Sequence, residues 1–334
     1  KAGLALDPAA LGDLNAAPLN AIVSIGGCSA SFVSPDGLVA TNHHCVTGSL
    51  QVNSKPGANL LADGFLAKEM KDELPTAPGT RVFVIEKLEN MTSAILAGVT
   101  DATVGAERIA KIEKNRKDLV AKCEAQPNRR CDAQYWLQQM LEIKDVRLVY
   151  APASGVGNFG GEVDNWQWPR HTGDFSFYRA YVAPDGSSAA FDVKNVPFKP
   201  KAHLKIAKEG LKTGDYVMVA GFPGTTDRLR TAAEADFYYA KFYPKQQQLL
   251  SDYADAIVRA TSGDEAATIK YASILRGADN IKKKLIGQMA GADAVQLSSK
   301  KAGQEKAFRD WAKSGARASS MTPVIAALDD VAKT

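Results

Sequence analysis

The chain has 334 residues, a formal net charge of +4 and 45% apolar residues. That length accommodates two domains or one large one, and so small a charge argues against a nucleic-acid partner. No stretch approaches the ~18–20 apolar residues of a membrane-spanning helix, so no membrane partner is expected. Because the chain begins at Lys1, a signal peptide or tag is expected to have been removed ahead of it.

Residues 1–20 are rich in Ala, Leu and Pro and read as an arm with helical turns. Ala21 to Ile25 is a strand, ended by Gly26-Gly27. Cys28 to Cys45 then reads CSASFVSPDGLVATNHHC. Apolar and polar residues alternate up to Val33, a Ser34-Pro35-Asp36-Gly37 turn follows, and a second run returns through Leu38, Val39 and Ala40. That is a β-hairpin signal. A cysteine stands at each end, and His44 precedes the second. A bridge between them would fix His44 at the end of a strand, half exposed, the placement a general base needs.

Arg81 to Ile85 is another β-rich run. Over 104–126, Ile109, Ile112, Leu119 and Val120 recur near helical spacing among charged residues, which predicts an amphipathic helix ended by Pro127-Asn128. A second helix is expected over Ala133 to Ile143, and a strand over Val146 to Tyr150. The four cysteines, Cys28, Cys45, Cys123 and Cys131, include no CxxC. Adjacent His43 and His44 suit a single metal ion poorly, so neither metal nor cofactor is expected. The pairs Cys28–Cys45 and Cys123–Cys131 each close a short loop and read as disulfides, the alternative being four buried thiols. Disulfides imply an oxidising compartment, periplasmic or secreted.

GVGNFGG, Gly155 to Gly161, is a poor dinucleotide motif because no helix pattern or acidic ribose partner follows. It reads as an open loop beside a cleft. In EVDNWQWPRHTGDFSFYRAYV, Asp174 opens an alternating strand with a buried body. Tyr216 to Ala220 is expected to be a further strand, ending in the Gly221 to Gly224 turn. Beyond it, 229–260, 264–290 and 300–334 are helical in composition. A boundary near Thr225–Asp227 divides the chain into 1–226 and 227–334.

Acyl transfer to water needs a nucleophile, a base to activate it and a carboxylate to orient that base. His44 and Asp174 fit the last two by position. A free peptide amine would seek carbonyl, carboxamide or carboxylate oxygens and an aromatic wall. Asn165 and Trp166 offer such groups, Asp164 adds negative charge, and Trp168 reads as packing. His43 reads as structural, His171 as a group behind the site, and His203 as an exposed strand residue.

The strings GCSASFVSPDGLVATNHHC and DNWQWPRHTGDFS resemble the peptidase S46 family of bacterial dipeptidyl peptidases. The resemblance implies an α+β chain: a chymotrypsin-like antiparallel double β-barrel with an added α-helical domain. It implies oligopeptide substrates cleaved to dipeptides from the free N-terminus, with His44 as base and acid and Asp174 orienting it. It also implies Asn165, Trp166 and Asn280, the last in GADNIKKK, as binders of the substrate N-terminus, and a homodimer. The family's glycine-flanked nucleophilic serine motif is not found in the sequence. Ser29, Ser31 and Ser176 lack the flanking glycines, and Ser154, followed by Gly155, has no Gly or Asn before it. The expectation is that this chain supplies the first barrel, the start of the second and part of the helical cap. The remainder of the peptidase, with the nucleophile, would lie elsewhere, leaving the isolated chain inactive. A peptide-N-terminus-binding protein without catalysis is the alternative. A trypsin-like endopeptidase is disfavoured because it leaves Asn165-Trp166 without a role.

Overall fold

The computed structural model describes residues 3, 4 and 6–331. They fall into two compact units. One comprises Lys1–Asn158 with Thr172–Pro223, and the other Phe159–His171 with Gly224–Thr334. A single cut near 225–227 leaves out the short segment 159–171, which groups with the helices although it interrupts the sheet unit in sequence.

The first unit is a mixed helix and antiparallel-sheet structure. Its strands are β1 (Ile22–Ser24), β2 (Ser29–Phe32), β3 (Leu38–Thr41), β4 (Phe65–Leu66), β5 (Leu74–Pro75), β6 (Val82–Asn90), β7 (Arg129–Ala133), β8 (Trp136–Ile143), β9 (Asp145–Ala151), β10 (Ser176–Val182) and β11 (Val196–Pro197). Their order is β4-β9-β10-β3-β2-β1-β6-β8-β7, with β11 on β10 and β5 on β9. Helix α1 (His43–Val52) follows β3 directly, and α2 (Gly105–Glu124) follows β6.

Alternation sets the core. Ala30 and Phe32 of β2, Val39 of β3, and Tyr178 and Ala180 of β10 face one interior, joined by Val23, Val82, Ile143 and Leu148. Helix α1 adds Val46 and Leu50, spaced i, i+4 on one face. Each such aliphatic or aromatic side chain contributes roughly 1.5–3 kcal/mol by leaving water. The β2–β3 turn forms as its composition predicts, with Ser34 Oγ accepting from the backbone N–H of Asp36 and Leu38. Gly37 has φ 68°, and a Cβ there would lie 2.7 Å from the Ala180 carbonyl oxygen, so only glycine fits. At the far end of β10, Arg179 and Tyr181 both donate to the buried Glu73 carboxylate, at 2.8 Å each. This clamps the strand that leads out of Asp174.

Several elements differ from the sequence expectation. Residues 133–143 form strand rather than helix. Leu137, Met140 and Leu141 mimic helical spacing, but β8 has hydrogen-bonding partners on both sides, β6 and β7, and sheet pairing overrides local pattern. The Cys123–Cys131 disulfide therefore ties the end of α2 to a strand. Residues 216–220 form no strand, and Val217 and Val219 are exposed, because no described strand lies alongside to pair with them. His203 likewise lies exposed in irregular backbone. The expected 155–161 loop is overlapped at its two ends by short helical turns, Ser154–Gly157 and Gly161–Asp164.

The second unit is helical. A capping box at Thr231 and Glu234 opens it. Helices α3 (Tyr243–Thr261) and α4 (Glu265–Ala294) form an antiparallel hairpin whose turn ends at Asp264, which caps α4 by accepting from Ala267 N–H. Ala254, Ile257, Ile269, Ala278 and Leu285 are buried. Helices α5 (Leu297–Ala312) and α6 (Ala318–Val331) follow, held by Arg309 between Glu305 and Asp329. Among the described residues no helix is long and apolar enough to cross a membrane.

Candidate active site

The register of β3 against β10 builds the site. Ser176 lies opposite Thr41, and the strands run antiparallel. The residues just after β3 therefore meet those just before β10, which brings Asn42 to His44 beside Asp174. His44 Nδ1 donates to Asp174 Oδ2 at 2.8 Å, and the His44 backbone N–H donates to Oδ1 at 3.0 Å. Asn42 Nδ2 donates to Oδ2 at 3.1 Å and to the Asp174 carbonyl at 3.2 Å. His44 is in the first turn of α1, not on an extended segment. Its carboxylate partner thus also satisfies an N–H that the helix start leaves without an intrahelical acceptor. Asn42 is the N-cap, yet its side chain makes no cap bond to its own helix and is given to Asp174 instead.

Burial would raise the Asp174 carboxyl. The His44 ring and backbone hydrogen bonds, the His44 charge and the Asn42 carboxamide outweigh it and hold the pKa at about 2. An anionic Asp174 fixes the ring with its proton on Nδ1, leaving Nε2 as the basic atom. The imidazole is half exposed, so Nε2 can be reached by a substrate or nucleophile. Among the described residues no hydroxyl is hydrogen-bonded to this ring. Cys45 follows His44 and is bridged to Cys28 ahead of β2, so the first turn of α1 is covalently tied to the sheet. The His44 ring and the two sulfurs lie within 4.8 Å of one another. Sulfurs joined in a disulfide are not thiolate ligands, so this group is no metal centre.

His43 is buried and turned the other way, because successive helical side chains diverge by about 100°. Gly157 lies close against its ring, and a Cβ on Gly157 would come 2.4 Å from it. The glycine-rich stretch thus packs behind the histidine helix through a contact that any side chain would block.

The second cluster lies in the helical unit. Asn165 Nδ2 donates to Glu162 Oε2 at 3.0 Å and to Asn280 Oδ1 at 3.1 Å. Trp166 Nε1 donates to Asn280 Oδ1 at 2.9 Å. Arg170 donates to Asn165 Oδ1 at 3.0 Å. Trp166 has φ 58°, an uncommon conformation for a bulky residue, and it turns the indole N–H onto helix α4. Trp168 is 94% exposed, so the expected packing role fails. His171 is exposed. The Asp164 carboxylate folds back over Gly160, where a Cβ would overlap it.

The family model for peptidase S46 matches residues 1–334. The chain belongs to the peptidase S46 family. Within that family it is 40% identical over 318 residues to an Asp/Glu-specific dipeptidyl-peptidase of Shewanella putrefaciens, covering 93% of this chain and 43% of the relative. It is 35% identical to dipeptidyl-peptidase 7 of Porphyromonas gingivalis, covering 94% of this chain and 45% of that one. The crystal structure of Porphyromonas endodontalis DPP11 in complex with the dipeptide Arg-Glu superposes with a TM-score of 0.83 at 30% identity, covering 93% of this chain and 47% of that one. The chain therefore spans less than half the length of these S46 relatives.

His44 meets Asp174, and Asn165, Trp166 and Asn280 meet one another. Both expected disulfides are formed. Sequence reasoning missed Asn42, Gly157, Glu162 and Arg170. Asn42 was the one with a local signal, being a carboxamide two residues before the histidine. Lys283 donates to the Glu162 and Val163 carbonyls, and Lys282 pairs with Asp279.

Proposed function

We propose that this chain is the base-bearing part of a serine dipeptidyl peptidase that releases dipeptides from the free N-terminus of oligopeptides. The His44–Asp174 pairing carries the reading. In this mechanism Nε2 of His44 takes the proton from a serine hydroxyl as its oxygen attacks the carbonyl carbon of the substrate's second peptide bond. The resulting imidazolium is stabilised by Asp174, then returns the proton to the leaving amine, and water releases the dipeptide by the same route in reverse roles. The attacking serine is assigned to polypeptide outside these 334 residues. The sheet unit is read as the first barrel of a chymotrypsin-like pair, and the helical unit as a cap. Asn165, Trp166 and Asn280 are assigned to holding the N-terminal end of the substrate. Two disulfides support an extracytoplasmic location, and a homodimer is the proposed assembly.

The test is His44→Ala in the complete protein. Turnover is expected to fall by about 10⁴ or more with the thermal midpoint little changed. Near-normal turnover would rule out His44 as the base.

A further inference from the structure

Hydrogen-bond capacity in the Asn165 cluster identifies which atom is left for an ammonium group. Two partners there can only donate, and they fix both amide orientations. The Trp166 indole N–H is shared between the Asn280 carbonyl, at 3.1 Å, and the Asn280 side chain, at 2.9 Å, and since it can only donate, the side-chain atom it meets is the oxygen. The Arg170 guanidinium points at Asn165, so that atom is an oxygen too. Asn280 Oδ1 then accepts from both Trp166 Nε1 and Asn165 Nδ2, which uses both of its lone pairs. Asn165 Nδ2 spends both hydrogens, on Asn280 and on Glu162. One lone pair of Asn165 Oδ1 remains, and it lies beside the Arg170 cation. Asn280 Oδ1 therefore has no room for an alkylammonium, and at Asn165 Oδ1 the adjacent guanidinium disfavours one unless an anion stands nearby.

Glu162 is that anion. Its Oε2 is held by Asn165, and among the described residues its Oε1 has no hydrogen-bond partner. Its backbone is fixed as well, since Lys283 reaches from α4 to the carbonyls of Glu162 and Val163. Resting on the exopeptidase reading above, we infer that Glu162 is a specificity-determining residue that binds the protonated α-amine of the substrate through Oε1. Asn165 Oδ1 serves as the neutral second acceptor. Asn280 holds the carboxamide and indole in place and offers its Nδ2 to a substrate carbonyl. The ligand class is a peptide with a free, charged N-terminus. An N-acylated or desamino peptide leaves the carboxylate uncompensated and is rejected.

The experiment uses the complete protein and two chromogenic dipeptidyl substrates that differ in one group. One carries the α-ammonium, and in the other hydrogen replaces it. Wild type is expected to prefer the first in kcat/KM by roughly tenfold to a hundredfold, the range for a charged hydrogen bond. In Glu162→Gln, which keeps the shape and an oxygen for Asn165, the preference should collapse toward unity, with the loss carried mainly by KM. Glu162→Ala should give the same collapse. The ratio of two rates from one preparation does not depend on how much of it is folded. If wild type prefers the amine and both variants keep that preference in full, Glu162 is not the counter-charge and the exopeptidase reading stands. If wild type itself shows no preference, the exopeptidase reading fails, and this inference with it.

Discussion

The His44 pair and the Asn165 cluster both centre on a carboxylate that accepts N–H bonds, yet they are held in place differently. Asp174 is positioned by backbone. It sits two residues ahead of a strand whose register against β3 is set by a buried core, and it accepts a backbone N–H as well as side-chain donors. The Asn165 cluster lies beside a four-residue turn, and side chains do most of the holding: indole, guanidinium and two carboxamides. The first arrangement resists loss of any one neighbour. The second should not, because each member orients the next. In the proposed reading, the step that needs a fixed proton path falls to the sheet, and recognition of a flexible chain end falls to the side-chain cluster.

The largest effect that sharpens this contrast is Asp174→Asn in the complete protein. Without a carboxylate the His44 ring loses the partner that keeps the proton on Nδ1. Turnover of a peptide and of a small acylating ester should both fall by about 10⁴. Asn165→Ala should instead impair dipeptide release and spare reaction with the ester, which has no N-terminus to hold. Parallel losses on both compounds in Asn165→Ala would mean that the cluster supports the catalytic geometry, and the contrast would be wrong.

A smaller effect tests the packing around His43. Gly157→Ala puts a methyl group where the His43 ring now lies. Shifting a fully buried ring costs roughly 1–3 kcal/mol, read as a drop in chemical-denaturation stability. An unchanged midpoint would show that the loop can withdraw from the histidine helix at no cost.

These two regions were unequally legible in the sequence. The β2–β3 hairpin could be read because Ser-Pro-Asp-Gly specifies its turn and alternation specifies its faces. Helices α2 to α6 could be read from composition and period. The helix start at His43 was hidden because its cap residue, Asn42, spends its side chain on Asp174 rather than on the helix. The β7–β8 hairpin was hidden because its apolar residues fall at helical spacing, and only the partner strand β6 decides between the two. Glu162 and Arg170 gave no local signal at all. Their meaning comes from Asn165 and Asn280, and the latter arrives from a helix more than a hundred residues later. A cluster built on side chains is invisible in sequence until the fold assembles it.

The smallest expected effect concerns acid. With its pKa held at about 2, against 3.8 for the unperturbed group, Asp174 favours the folded state wherever it is ionised. That contribution is fully present above pH ~4 and is lost as the pH falls through ~2, because protonation removes the acceptor that both His44 donors use. The full shift corresponds to ~2 kcal/mol, and solvent screening of this partly exposed group leaves about 1–2 kcal/mol. Asn42→Ala removes one donor that lowers this pKa, so the acid limb of the stability curve should move to higher pH, with a loss of about 1 kcal/mol at neutral pH. Acid denaturation of the variant beside wild type measures both. An acid limb that stayed in place would mean that the carboxylate is held by the His44 contacts alone, and that the diverted cap contributes nothing to its ionisation.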